Sequence, residues 1–83
     1  NLELLQHLDE LHQLDCPVLL GTSRKSFIGK ILNLDDPQER LCGTLATVAL
    51  GVSQGVQVFR VHDVRPARET ALVAWAIREQ KLP

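Results

Sequence analysis

The chain has 83 residues, nine lysines and arginines against ten acids, a formal net charge of −1, 45% hydrophobic residues and 4% aromatics. That composition is ordinary soluble globular material, too short for more than one domain. Charges dispersed and matched along the chain exclude a nucleic-acid surface, no apolar run approaches the ~20 residues of a membrane span, and no targeting segment is visible.

Residues 1 to 14 place Leu2, Leu4, Leu5, Leu8 and Leu11 at helical spacing with Gln6, Asp9, Glu10 and Gln13 opposite, which predicts one amphipathic helix. With no strand ahead of it, this helix reads as the second half of a strand-helix unit. His7 and His12 are five apart, diverge around a helix axis and make a poor ligand pair, so both are surface residues. Asp15-Cys16-Pro17 is a turn. Cys16 and Cys42, the second of them in a helix expected to be buried, lack the close spacing of zinc sites and are free thiols of a reducing compartment.

Val18-Leu19-Leu20 is apolar without alternation, the pattern of a strand buried on both faces of a parallel sheet. Gly21 ends it and permits close backbone approach. Thr22-Ser23-Arg24-Lys25-Ser26 follows, at the strand's carboxyl end, where α/β folds place ligands. Phe27, Ile28, Ile31 and Leu32 then have helical spacing, so free N–H groups, a lysine and hydroxyls meet at a helix start that suits an anion. A Walker A loop is excluded: Arg24 stands where a glycine must precede the lysine, and Gly21 is too close. Alone, Ser23-Arg24-Lys25-Ser26 fits a solvated helix cap as well as a ligand site.

Asp36, Pro37 and Glu39 predict an N-cap, N1 and N3 for a helix running from 37 to about Gln54, with Leu41, Leu45, Val48 and Val52 as its apolar stripe. Its small residues Cys42, Gly43, Ala46, Ala49 and Gly51 predict close packing, and Gly55 a left-handed terminator. Val56 to Val64 is the second predicted strand. Alternation puts Val56, Val58, Arg60 and His62 on one face, with the Arg60 and His62 Cα atoms roughly 6.5–7 Å apart, close enough for both side chains to reach one ligand. Pairing with carboxylates is the other reading, although an arginine buried in so apolar a strand is costly without an anionic partner. Pro66 opens a last helix to about Gln80, with Trp75 in the core, and Lys81-Leu82-Pro83 reads as a chain end.

Helix, strand, helix, helix, strand, helix makes an α/β chain with two parallel strands joined by a right-handed crossover. Two strands cannot form a sheet buried on both faces, so the chain is expected to be part of something larger.

Taken together, Gly21-Thr22-Ser23-Arg24-Lys25-Ser26-Phe27-Ile28-Gly29, Glu39-Arg40-Leu41-Cys42-Gly43-Thr44 and Arg60-Val61-His62-Asp63-Val64 resemble the C-terminal third of the dihydropteroate synthase family. The resemblance covers essentially the whole chain. It implies strands 7 and 8 with helices 6 to 8 of a (β/α)8 TIM barrel, so that residues 1–83 are a C-terminal fragment and no complete domain. It also implies a transferase of folate biosynthesis, condensing hydroxymethyl-dihydropterin diphosphate with p-aminobenzoate to dihydropteroate and pyrophosphate, with sulfonamides as p-aminobenzoate mimics. By similarity Lys25 contacts the pterin edge near the reacting centre, Ser26 holds the p-aminobenzoate side, and Arg60 stacks on the pterin and joins His62 on the leaving pyrophosphate. Lys25, Arg60 and His62 are then the catalytic residues, with Ser23, Arg24 and Ser26 completing the substrate-binding set. Magnesium is implied as cofactor with no ligand in this chain, as are a homodimer, a cytoplasmic location and the remaining N-terminal part of the barrel. A noncatalytic scaffold fragment, or another pterin-binding barrel such as a methyltetrahydrofolate methyltransferase, is the alternative.

Overall fold

Leucines three residues apart decide how the chain begins. In the computed structural model, which describes residues 2–14 and 18–82 with side chains throughout except at 12–14, helix α1 covers only Leu2–Gln6 and is followed by a 3₁₀ helix over Leu8–Leu14. The single helix expected over 1–14 is therefore two pieces. His7 N–H donates to Leu4 O and Glu10 N–H to His7 O, both at 3.1 Å and both three residues back. A 3₁₀ helix has three residues per turn, so it aligns Leu8 and Leu11 on one edge, in line with Leu5 before them. Leu5 and Leu8 are buried with Leu20 and Val56, and Leu11, Val18, Phe27 and Phe59 pack around them. His7 is exposed beside Glu10 at 3.5 Å, as expected of a surface residue, whereas Asp15, Cys16, Pro17 and the His12 side chain lie outside the described residues.

Strand β1 (Leu19–Leu20) pairs in parallel with β2 (Val58–Phe59), in the register Leu19 to Val58 and Leu20 to Phe59. Leu20 is 8% exposed, but Leu19 is 61% exposed and Val58 45% exposed. One sheet face is covered by helices; the other, expected to be buried as well, is open in this chain. The predicted strand 56–64 is likewise shorter, because its partner offers only a few paired groups before the chain turns away at Gly21. Bonds from Val58 N–H to Val18 O (3.3 Å) and Arg60 N–H to Leu20 O (3.0 Å) mark its extent.

Between the strands run α2 (Ser26–Leu32), a 3₁₀ turn (Pro37–Glu39) and α3 (Leu41–Ser53). Asp36 caps the turn as predicted, its Oδ1 accepting from Gln38 N–H at 3.0 Å. The helix expected from 37 is interrupted at Arg40 (φ −95°, ψ 18°), whose side chain turns back to the preceding loop. Val48 and Val52 are buried with Thr44 and Thr47, and α3 approaches α2 and the strands through Gly43 and Gly51, whereas Cys42 is exposed rather than buried. Gly55 has φ 87°, the left-handed conformation expected after the helix. Helix α4 (Val64–Glu79) starts two residues before Pro66, which sits in the first turn where its missing N–H is not needed. It lies along α3 with Ala67 buried, while Trp75 is half-buried and faces a groove shared with Val56 and Phe59. Among the described residues no helix is long and apolar enough to cross a membrane.

Candidate active site at the strand carboxyl ends

Alternation in a parallel pair puts Leu19 and Gly21 beside Val58 and Arg60 on the face without helices. Both strands end there, and Leu19, Gly21, Ser23, Lys25, Arg60 and His62 line one polar cleft of about 310 Å³. A Cβ on Gly21 would lie 3.8 Å from Arg60 Cβ, ordinary contact, so glycine here leaves the Arg60 stem unobstructed without being demanded by it.

Arg60 reaches the cleft by strand alternation, as expected. His62 reaches it by another route, since pairing stops at Phe59. Ser23 Oγ accepts the His62 backbone N–H at 3.0 Å and lies 2.8 Å from Nδ1 of the same residue. A hydroxyl can accept the N–H and still exchange a second hydrogen bond with the ring. Whichever group supplies that proton, the ring is held by Nδ1, and Nε2 is left for a ligand.

The cation turn is built with similar care. Lys25 N–H donates to Thr22 O at 3.1 Å, closing a four-residue turn whose third residue, Arg24, has φ 57°. Thr47 Oγ1 gives its proton to Thr44 O (2.7 Å), so the 2.6 Å contact between Thr22 and Thr47 hydroxyls has Thr22 as donor. Arg40 donates through Nη1 to Arg24 O (2.9 Å), through Nε to Leu34 O (3.2 Å) and through Nη2 to Asp35 O (3.0 Å). These bonds join the two ends of α2. Thr44, Thr47 and Arg40 support the site without being legible as such in the sequence; for the two threonines, a polar residue within the apolar sector of a helix is the available signal.

Of the six predicted site residues, Ser23, Lys25, Arg60 and His62 meet in the cleft. Arg24 does not: its guanidinium turns to Asp63, Nη2 to Oδ1 at 3.1 Å and Nε to Oδ2 at 3.4 Å, because the left-handed backbone redirects the side chain. Ser26 is exposed as the first residue of α2, with Lys25 at the N-cap and no side-chain cap, leaving the helix's first N–H groups free of a side-chain partner. Arg60 is exposed, which corrects the expectation of a costly buried arginine. Among the described residues, the Lys25 and Arg60 side chains have no hydrogen-bond or ion-pair partner. The site therefore offers two uncommitted cations and one oriented imidazole on a single wall.

The described residues do not form a magnesium site. Among the described residues no three His, Cys, Asp or Glu side chains are grouped to hold a metal, and the Asp63 carboxylate is already paired.

Residues 1–62 match the family model described as pterin binding enzyme. The chain belongs to that family. The match ends at His62 and so contains all six residues lining the cleft. Among curated relatives, the dihydropteroate synthase of Synechocystis is 48% identical over 77 residues, covering 93% of this chain and 27% of the relative. A Mycobacterium leprae relative, named inactive dihydropteroate synthase 2, is 42% identical over 80 residues, covering 96% of this chain and 27% of its own length. Among solved structures, the Yersinia pestis dihydropteroate synthase in complex with a sulfonamide drug superposes with TM-score 0.92 at 43% identity, over 98% of this chain and 29% of that one. The Coxiella burnetii dihydropteroate synthase in complex with pteroic acid gives TM-score 0.92 at 41% identity with the same coverage. The chain thus spans little more than a quarter of the proteins it resembles, and carries the fold of that part of a TIM-barrel enzyme.

Proposed function

We propose that this pterin-binding family segment supplies one wall of a dihydropteroate synthase active site. As strands 7 and 8 with helices 6 to 8, it would complete a barrel that condenses hydroxymethyl-dihydropterin diphosphate with p-aminobenzoate. The carrying observation is the convergence of Lys25, Arg60 and His62 in one cleft at the carboxyl ends of parallel strands, where barrels bind phosphate.

In this reading the amine nitrogen attacks the methylene carbon of the pterin, the C–O bond breaks, pyrophosphate departs with the electron pair, and nitrogen loses a proton. Negative charge grows on the leaving group as the bond lengthens. Fixed cations at that end stabilise the transition state more than the ground state. Arg60 takes the diphosphate with its planar fork and also stacks on the pterin, His62 adds a donor at Nε2, and Lys25 holds the pterin edge. Ser26 and the start of α2 take the carboxylate end of p-aminobenzoate or of a sulfonamide, Ser23 orients His62, and Arg24 acts at one remove. Magnesium, held by residues outside this chain, homodimer formation and a cytoplasmic location complete the proposal.

The test uses the full-length protein containing this segment, mixed with both substrates. Dihydropteroate and pyrophosphate in equal amounts are expected. A folded protein that binds the pterin diphosphate and releases neither product would instead support a noncatalytic role, as the name of the Mycobacterium leprae relative records for that protein.

A further inference from the structure

Arg24 occupies an expensive position. A left-handed backbone (φ 57°) is strained for a residue with a side chain, and the third place of such a turn ordinarily favours glycine. Here the conformation is held from every side. The Arg24 N–H donates to the buried Thr44 Oγ1 at 2.9 Å, its carbonyl accepts from Arg40 at 2.9 Å, and its guanidinium grips Asp63 with two prongs. Both members of that pair are 27% exposed, so the attraction is less screened than at an open surface. Asp63 follows His62, and Arg24 lies between Ser23 and Lys25.

From this arrangement we infer that the Arg24–Asp63 pair is a positioning clamp that locks the turn after β1 to the segment after β2. Two links cross between these segments side by side: Ser23 to His62, and Arg24 to Asp63. Strand pairing ends at Phe59, so these links set the separation of Lys25 from His62 across the cleft. Arg24 is thus a positioning residue, and its charge serves Asp63 rather than the ligand. The inference rests on the proposed function only for its ligand; the clamp itself is a property of the two segments.

The full-length protein with Arg24→Gly, Asp63→Asn and both changes together tests it. Glycine accepts the left-handed backbone, so Arg24→Gly removes the clamp without adding strain. Hydrogen exchange at the His62 and Lys25 amides should quicken about tenfold in each single variant, with the centre of α3 around Val48 unchanged. Calorimetry with inorganic pyrophosphate should show about tenfold weaker binding in each single variant and no further loss in the double, because both remove one link. Unchanged exchange at His62 in both single variants would overturn the clamp. So would Arg24→Gly weakening pyrophosphate while Asp63→Asn does not, since Arg24 would then be touching the anion itself. If the unaltered protein fails to bind pyrophosphate, the ligand assignment fails, and the exchange rates decide the clamp alone.

Discussion

Lys25 and Arg60 carry the same charge into the same cleft, yet chemistry separates them. A lysine is a point charge with rotatable donors, and an arginine is a plane with a fixed fork. Arg60→Lys in the full-length protein should therefore weaken pyrophosphate binding by roughly 1.5–3 kcal/mol, the range of a charge-assisted hydrogen bond, with a strong fall in turnover. Lys25→Ala should spare pyrophosphate more. Calorimetry of both variants checks this, and equal losses would mean one undivided anion site. Gly51 is the corresponding single residue for stability: a Cβ there would stand 2.8 Å from Phe59 Cε1 and 3.0 Å from Leu20 Cδ2, against residues wedged between α3 and the strands. Gly51→Ala should lower the stability of the full-length protein by roughly 1–3 kcal/mol despite alanine's better helix propensity, read from the denaturant midpoint.

Helix α2 shows how an element can be positioned by its neighbours rather than by its own sequence. Seven residues are too few for a helix to be stable alone. Its amino end is held by the Thr22–Lys25 turn, its carboxyl end by Asn33 in the left-handed conformation (φ 58°), and Arg40 bonds to the chain on both sides. A Cβ on Gly29 would come within 2.5 Å of the Arg40 Nε, so glycine is what lets the guanidinium lie over the helix. Arg40→Leu removes all three bonds, leaves the Arg24 carbonyl without this donor and should loosen the cleft at Lys25. The expected outcome is faster amide exchange through 24–35 together with weaker pyrophosphate binding; loss of stability with binding intact would restrict Arg40 to folding. The Asp36 cap is a separate contribution, and Asp36→Ala should cost the full-length protein about 0.5–2 kcal/mol in thermal or denaturant unfolding without altering binding.

Across the molecule, apolar surface is left open on both the sheet and the helices. Leu19 and Val58 are exposed on the helix-free sheet face, Ile31 and Ile77 are 63% and 73% exposed on the helices, and a two-strand ladder of two residues each leaves both edges unpaired among the described residues. A segment of this size buries too little for its unfolded-state entropy, and bare edges invite association. The isolated 83-residue segment should therefore unfold without a cooperative transition or associate with rising concentration. Circular dichroism melts at several concentrations, with sedimentation, check this; a sharp, concentration-independent transition of a monomer would contradict it.

Local rules carried much of the element order, the Asp36 cap, the Gly55 terminator and the alternation that aims Arg60. Each depends on near neighbours in the chain, and a cap or a two-residue period survives folding unchanged. The motifs flanking the strands were legible for the same reason, and the pair of them pointed to the family before any coordinate did. What local rules missed depends on residues distant in sequence. Leu8 and Leu11 adopt a 3₁₀ rather than an α period because they pack against a core containing Leu20 and Val56. Arg24 leaves the cleft because Asp63, 39 positions later, stands within reach, and His62 enters it because Ser23 captures its backbone. A side chain's direction beyond the end of a strand is set by the partner it meets, and that partner is known only when the chain has closed on itself.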